Sequence, residues 1–119
     1  KTLPFAEAEP GATGLELLLS LALKWSTETD AGLLRALTVL TSAPAQVMGS
    51  ALGTLEASIG RLAEGGVADL CIFDPAATWT VQADTLRSQG KHTPFSGYEL
   101  PGRVRTTIVG GQVAYDAGM

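Results

Sequence analysis

The chain has 119 residues, 45% of them hydrophobic and 17% charged, with a formal net charge of -4. That balance fits a packed core rather than disorder, and the scattered Lys and Arg residues form no clustered footprint for nucleic acid or an anionic membrane. The longest strongly apolar stretch, Leu15 to Leu23, is interrupted by Glu16 and Ser20 and falls well short of the ~20 residues that cross a bilayer, so neither a membrane span nor a signal peptide is expected.

The chain opens on Lys1 rather than methionine, which reads as a fragment or a processed product. Pro4, Pro10 and Gly11 make the first thirteen residues an ordered loop that delivers the chain into a helix. From Leu15 to Thr27 the apolar residues Leu15, Leu18, Leu19, Ala22, Leu23 and Trp25 follow helical spacing, and Leu17 and Leu21 widen the stripe toward burial on more than one side. Thr29 or Asp30 is placed to cap a second helix through Thr41, and Pro44 suits the first turn of a third that ends at Gly49.

Beyond Gly53 the character changes. Gly60, Gly65 and Gly66 punctuate the chain, and Asp69 to Phe73 reads as a buried strand bounded by Asp74-Pro75. Its cysteine, Cys71, is expected as a buried small hydrophobe, and the lack of a second cysteine agrees with a reducing, cytoplasmic setting. Trp79 to Val81, Arg103 to Val109 and Gln112 to Tyr115 are further strands, the last two joined by a tight turn at Gly110-Gly111. Residues 84 to 100 form a long surface loop held by Phe95 and Tyr98. So few strands make a poor sheet alone, and partners are expected from elsewhere.

Chemistry is sparse. His92 is the lone imidazole, Cys71 the lone thiol, and no His-x-His, Cys-x-x-Cys or His-Glu-x-x-His spacing exists, so no self-contained zinc site is expected. His92 lies near Ser88 and Ser96, but no Gly-x-Ser-x-Gly elbow supports a hydrolytic triad. Glu7, Glu9 and Glu16 read as solvated carboxylates that favour a helix N-terminus rather than as an acid-base pair. Gly11-Ala12-Thr13-Gly14 presents backbone amides ahead of a helix, able to hold an anion or a substrate carbonyl, without the strand context of a nucleotide loop. Asp69 reads as structural, bonding nearby backbone amides.

Four stretches together carry a resemblance. Lys1-Thr2-Leu3-Pro4-Phe5, with Ala8, Gly11 and Gly14-Leu15-Glu16, is similar to the stretch that follows a Ser-Asp-His-Ala-Pro-His motif in class I dihydroorotases, members of the cyclic amidohydrolase superfamily. Ser42-Ala43-Pro44-Ala45 with Met48-Gly49 resembles the family's next helix, with Ala43 in place of the usual Asn. Gly60-Arg61-Leu62, Gly65 and Ala68-Asp69-Leu70 through Phe73-Asp74-Pro75 resemble the superfamily's return strand into a small β-sandwich. Thr93-Pro94-Phe95-Ser96-Gly97, then Gly102, Val104 and Gly110-Gly111-Gln112-Val113, resemble the dihydroorotase Asn-Thr-Pro-Phe loop and last hairpin, with His92 where Asn is usual.

The resemblance implies an α/β fold: the C-terminal part of a distorted (β/α)8 (TIM) barrel plus the C-terminal strands of its small β-sandwich, helical in the first half and mostly β in the second. Residues 1–55 would supply the last loop and helices of the barrel, and residues 56–119 the strands of a composite sandwich. The implied reaction is the reversible interconversion of dihydroorotate and N-carbamoyl-L-aspartate in pyrimidine biosynthesis, with zinc in the parent enzyme. The zinc ligands and the catalytic Asp would lie upstream of Lys1, so no catalytic or metal residue is expected in this chain, and alone it would be inactive and hold no cofactor. The substrate-binding residues carried over are Pro10 and Gly11, whose main chain would bond the ring; a glycine lets backbone approach a ligand closely. Implied partners are the small-molecule substrate, the missing N-terminal part, and a second copy or aspartate carbamoyltransferase. Two alternatives stand beside this reading: a dihydroorotase-like subunit without catalysis that partners aspartate carbamoyltransferase, and a hydantoinase- or allantoinase-type cyclic amidase.

Overall fold

The computed structural model describes residues 14–118. A 3-10 turn at Leu15–Leu17 runs directly into helix α1 (Leu18–Glu28), followed by α2 (Leu33–Leu40), α3 (Ser42–Met48) and a 3-10 stretch at Gly49–Leu55. The second half forms β1 (Leu70–Thr80), β2 (Glu99–Val109) and β3 (Gln112–Asp116), with a short 3-10 turn at Ala83–Thr85.

The 3-10 turn and α1 together bury Leu17, Ser20, Leu23 and Ser26, a three-residue rhythm that makes one narrow seam. Leu15 and Leu18 stay exposed, so the wide apolar stripe is only partly covered. The expected cap of α2 is corrected. The Thr29 hydroxyl donates back to the Trp25 carbonyl at 2.7 Å, Asp30 sits at φ 58, and Gly32 occupies the cap position, its carbonyl accepting the Ala36 amide at 3.1 Å. Thr29 is thereby consumed in closing α1 and is unavailable to open α2. Pro44 lies in the first turn of α3, where a missing N–H costs nothing, and Gly49 ends that helix at φ 49.

The strands pair in the order β1-β2-β3, antiparallel throughout. Leu70 faces Ile108 at one end of the first pair and Thr80 faces Glu99 at the other, with register shifts at Ile72/Phe73 and between Asp74 and Thr78. Pro75 sits in the second shift, where its missing amide removes no ladder bond. The expected strands 69–73 and 79–81 are therefore two parts of one irregular strand that ends at Thr80, with Val81 just beyond it. The expectation that this strand is buried is corrected too: Cys71 is exposed and Ile72 is 51% exposed. Among the described residues β1 is an edge strand bonded on one side alone, so β2 covers one flank and little packs over its first half. The hairpin turn at Gly110-Gly111 holds, both residues taking positive φ (57 and 81).

The core sits where the start of α1, the end of β1 and the start of β2 converge. Leu17, Val81, Leu86 and Leu100 are buried together, with Leu21, Trp79 and Phe95 packed against them. A polar triangle ties helix to sheet: the Ser20 hydroxyl donates to the Gly102 carbonyl at 2.9 Å, and Trp79 Nε1 donates to Ser20 Oγ and to the same carbonyl, both at 3.0 Å. Gly102 has φ +87, and a Cβ built there would lie 2.3 Å from Leu23 Cδ1. Only glycine permits both that backbone conformation and that approach of helix to strand.

Candidate functional site

Pro10 and Gly11, the expected substrate-binding residues, lie outside the described residues, as do Glu7 and Glu9. What the structure describes is the platform that receives the chain just after them. Its centre is Glu16, whose two carboxylate oxygens accept the backbone amides of Arg87 at 2.8 Å and Ser88 at 2.7 Å, more than seventy residues away in sequence. Desolvation by burial opposes ionisation of this carboxyl, but the bonds from Arg87 and Ser88 and the positive charge of Lys91 together outweigh it and hold its pKa below the ordinary value. The expectation of a solvated, dipole-favouring carboxylate is thus corrected: Glu16 is a latch between two distant segments.

The segment it holds is a closed loop. Its ends meet where the Val81 amide donates to the Tyr98 carbonyl at 2.9 Å and the Gly97 amide to the Val81 carbonyl at 2.8 Å. Inside, Lys91 Nζ donates to the Leu86 carbonyl, buried Thr93 accepts the Phe95 amide on its hydroxyl at 3.1 Å, and Phe95 meets Tyr98 edge-on at 5.4 Å. Leu86 anchors the loop in the core, and the Arg87 guanidinium lies over the Tyr115 ring at 5.2 Å, tying it also to β3. The loop expected to be held by Phe95 and Tyr98 is so held, with Leu86 and Glu16 as additional ties that sequence reading missed. A glutamate at a helix start carries no local sign that its acceptors will be used by amides of a remote loop.

The remaining candidates separate. His92 is exposed, and among the described residues no hydrogen bond joins it to Ser88 or Ser96; the Ser88 amide is instead spent on Glu16. Asp69 accepts the Gly110 amide at 2.8 Å, a structural bond that pins the β2-β3 turn. Burial of part of Cys71 pushes its thiol pKa up, away from reactivity. Among the described residues no group of three or more His, Cys, Asp or Glu side chains could hold a metal ion. A groove of about 280 Å³ beside the end of α1, lined by Leu23, Ser26, Asp30, Leu33 and Pro101, offers one carboxylate and no imidazole, amine or thiol beside it. Among the described residues no helix is long and apolar enough to cross a membrane.

Comparison with known proteins agrees with this architecture. The profile of the amidohydrolase family matches residues 26–115. A dihydroorotase from Geobacter metallireducens is 42% identical over 115 residues, covering 97% of this chain and 26% of that protein. A dihydroorotase-like protein from Pseudomonas aeruginosa is 40% identical over 116 residues, covering 98% of this chain and 26% of its own length. A solved D-hydantoinase (dihydropyrimidinase) from Thermus sp. superposes with a TM-score of 0.80 at 24% identity, over 97% of this chain and 24% of that one, and another D-hydantoinase with a TM-score of 0.79. The chain spans about a quarter of the length of the curated relatives it matches. The resemblance to the C-terminal part of dihydroorotases is borne out, and so is the fold class, helical first and then β.

Proposed function

Because the chain belongs to the amidohydrolase family, we propose that the whole protein is a cyclic amidohydrolase that interconverts dihydroorotate and N-carbamoyl-L-aspartate in pyrimidine biosynthesis. The observation that carries this reading is the similarity to dihydroorotases along nearly the whole chain. A second supports it: Glu16 joins the segment Gly14-Leu15-Glu16 to the loop that contains Thr93-Pro94-Phe95, two of the stretches that carry the dihydroorotase resemblance.

In the forward direction the ureido nitrogen of carbamoyl aspartate attacks the side-chain carboxyl carbon and water leaves; hydrolysis of the ring amide reverses this. This chain's part is to bind and orient the ring through the main chain of Pro10 and Gly11. Zinc would be held by residues of the parent enzyme upstream of Lys1, and the chain alone would be inactive. Residues 1–55 would close the barrel and residues 56–119 complete the sandwich of one cytoplasmic protein, as a homodimer or beside aspartate carbamoyltransferase. The test is an assay of the complete, zinc-loaded protein in both directions: turnover that chelation abolishes and zinc restores supports the reading, and no interconversion defeats it.

A second reading stands beside it, a dihydroorotase-like subunit without catalysis that partners aspartate carbamoyltransferase. Stable co-purification with that enzyme, together with no turnover of dihydroorotate, would establish it. For a hydantoin- or allantoin-cleaving enzyme the support is fold alone. Turnover of those rings in preference to dihydroorotate would bring that reading forward.

A further inference from the structure

We propose that the Arg87-Ser88 segment is a carboxylate-binding site in its own right, with Glu16 as its resident ligand, and that once Glu16 is removed it takes a small free carboxylate such as formate. The inference concerns Glu16 and residues 86–91 alone and holds or fails independently of the substrate of the whole protein.

The receptor is built without Glu16. The successive backbone amides of Arg87 and Ser88 donate to the two oxygens of one carboxylate at 2.8 and 2.7 Å, and consecutive N–H groups aimed at one point make an anion-binding concavity. Neither residue depends on Glu16 for its place. Leu86, just before them, is buried in the core, the Arg87 guanidinium lies 5.2 Å over the Tyr115 ring, and the loop is closed at its base by the bonds from Val81 to Tyr98 and from Gly97 to Val81. Lys91 Nζ donates to the Leu86 carbonyl, which stations an ammonium beside the amides, and its charge together with the Ser88 hydroxyl favours an ionised guest. Among the described residues no second carboxylate acts on Glu16, so a vacated site keeps a positive field with no acid of its own to neutralise it. A carboxylate in the first turn serves its helix by charge alone. Two oxygens matched to two adjacent N–H groups on a remote loop amount to recognition of the carboxylate group, through charge-assisted bonds about twice as strong as neutral ones. Glu16 and Ser88 are half-buried and Arg87 is exposed, so solvent reaches the site and a free anion has a way in. In the native chain Glu16 is delivered by its neighbour Leu17, which is fully buried, and free anions find the site filled.

The test uses the complete protein carrying Glu16→Ala, with formate as the probe and chloride at equal ionic strength as the reference. Formate is expected to slow hydrogen exchange in a peptide spanning residues 86–89 on the order of ten-fold, the protection a ligand gives at about ten times its Kd, and to raise the melting temperature. Wild type, whose site is filled, and Glu16→Gln, whose amide occupies the same space without the charge, are expected to respond to formate no more than to chloride. A Glu16→Ala protein that formate protects no better than chloride overturns the proposal. So does an equal formate effect in all three proteins, which is an effect of the solvent rather than of a site. If Glu16→Ala folds poorly, its refolding yield reads the same binding: a higher yield in formate than in chloride supports the site, and equal yields overturn it.

Discussion

The Ser20 hydroxyl, the Trp79 indole and the Gly102 carbonyl form a three-membered polar contact where helix meets sheet, and each member has a different replaceability. Ser20→Ala leaves Trp79 Nε1 its second acceptor at Gly102, so the expected loss is only about 1 kcal/mol, read as a small fall in the denaturation midpoint of the complete protein. Gly102→Ala forces a Cβ against Leu23 and a side chain into a positive-φ backbone, so a loss of about 2 kcal/mol or more is expected in the same measurement. Glu16 adds a pH dependence. Its folded pKa lies below the ordinary 4.5, so the unfolded chain takes up a proton first as pH falls. Its contribution is fully present above that value and is lost as pH drops through the lowered folded pKa. The stability gap between wild type and Glu16→Gln should therefore be constant near neutrality and shrink below about pH 4.5 in acid titrations of unfolding.

Among the elements, the β2-β3 hairpin shows how a turn is fixed from outside itself. Gly110-Gly111 supplies the twisted turn, and Asp69 with the Ala68 carbonyl holds its two amides from the entrance to β1. Asp69→Ala is expected to cost about 1 kcal/mol and to leave kcat unchanged, whereas a catalytic aspartate would lose turnover by orders of magnitude. Steady-state kinetics beside a melting curve checks both halves. The same register explains why a sequence reading split β1 in two. Pro75 interrupts pairing and reads as a boundary, yet Thr78 to Thr80 regain β2 at Pro101 to Glu99, a recovery dictated by the partner strand.

The whole molecule is less compact than its length predicts. Its radius of gyration is 16.4 Å, against about 13.5 Å for a compact domain of this size. Leu15, Val47 and Leu62 are each 86% exposed and Leu34 80%, and β1 and β3 present outer edges with no partner strand among the described residues. Apolar surface and open edges together drive association. The isolated 119-residue chain is expected to elute from size exclusion as oligomers and to bind a hydrophobic dye. A monodisperse, dye-negative monomer would show that this surface needs no cover.

Helical periodicity from Leu15 onward, the Pro44 and Gly49 boundaries, and the Gly110-Gly111 turn were all legible in the sequence, because each depends on local backbone preference and the spacing of apolar side chains. Similarity of short stretches made the family legible as well. Only the tertiary structure decided that Gly32 rather than Thr29 or Asp30 caps α2, that Cys71 lies exposed on an edge strand, and that Glu16 grips Arg87 and Ser88. Burial and long-range hydrogen bonds depend on which segments meet, and no local pattern at Glu16 or Cys71 encodes its distant neighbours.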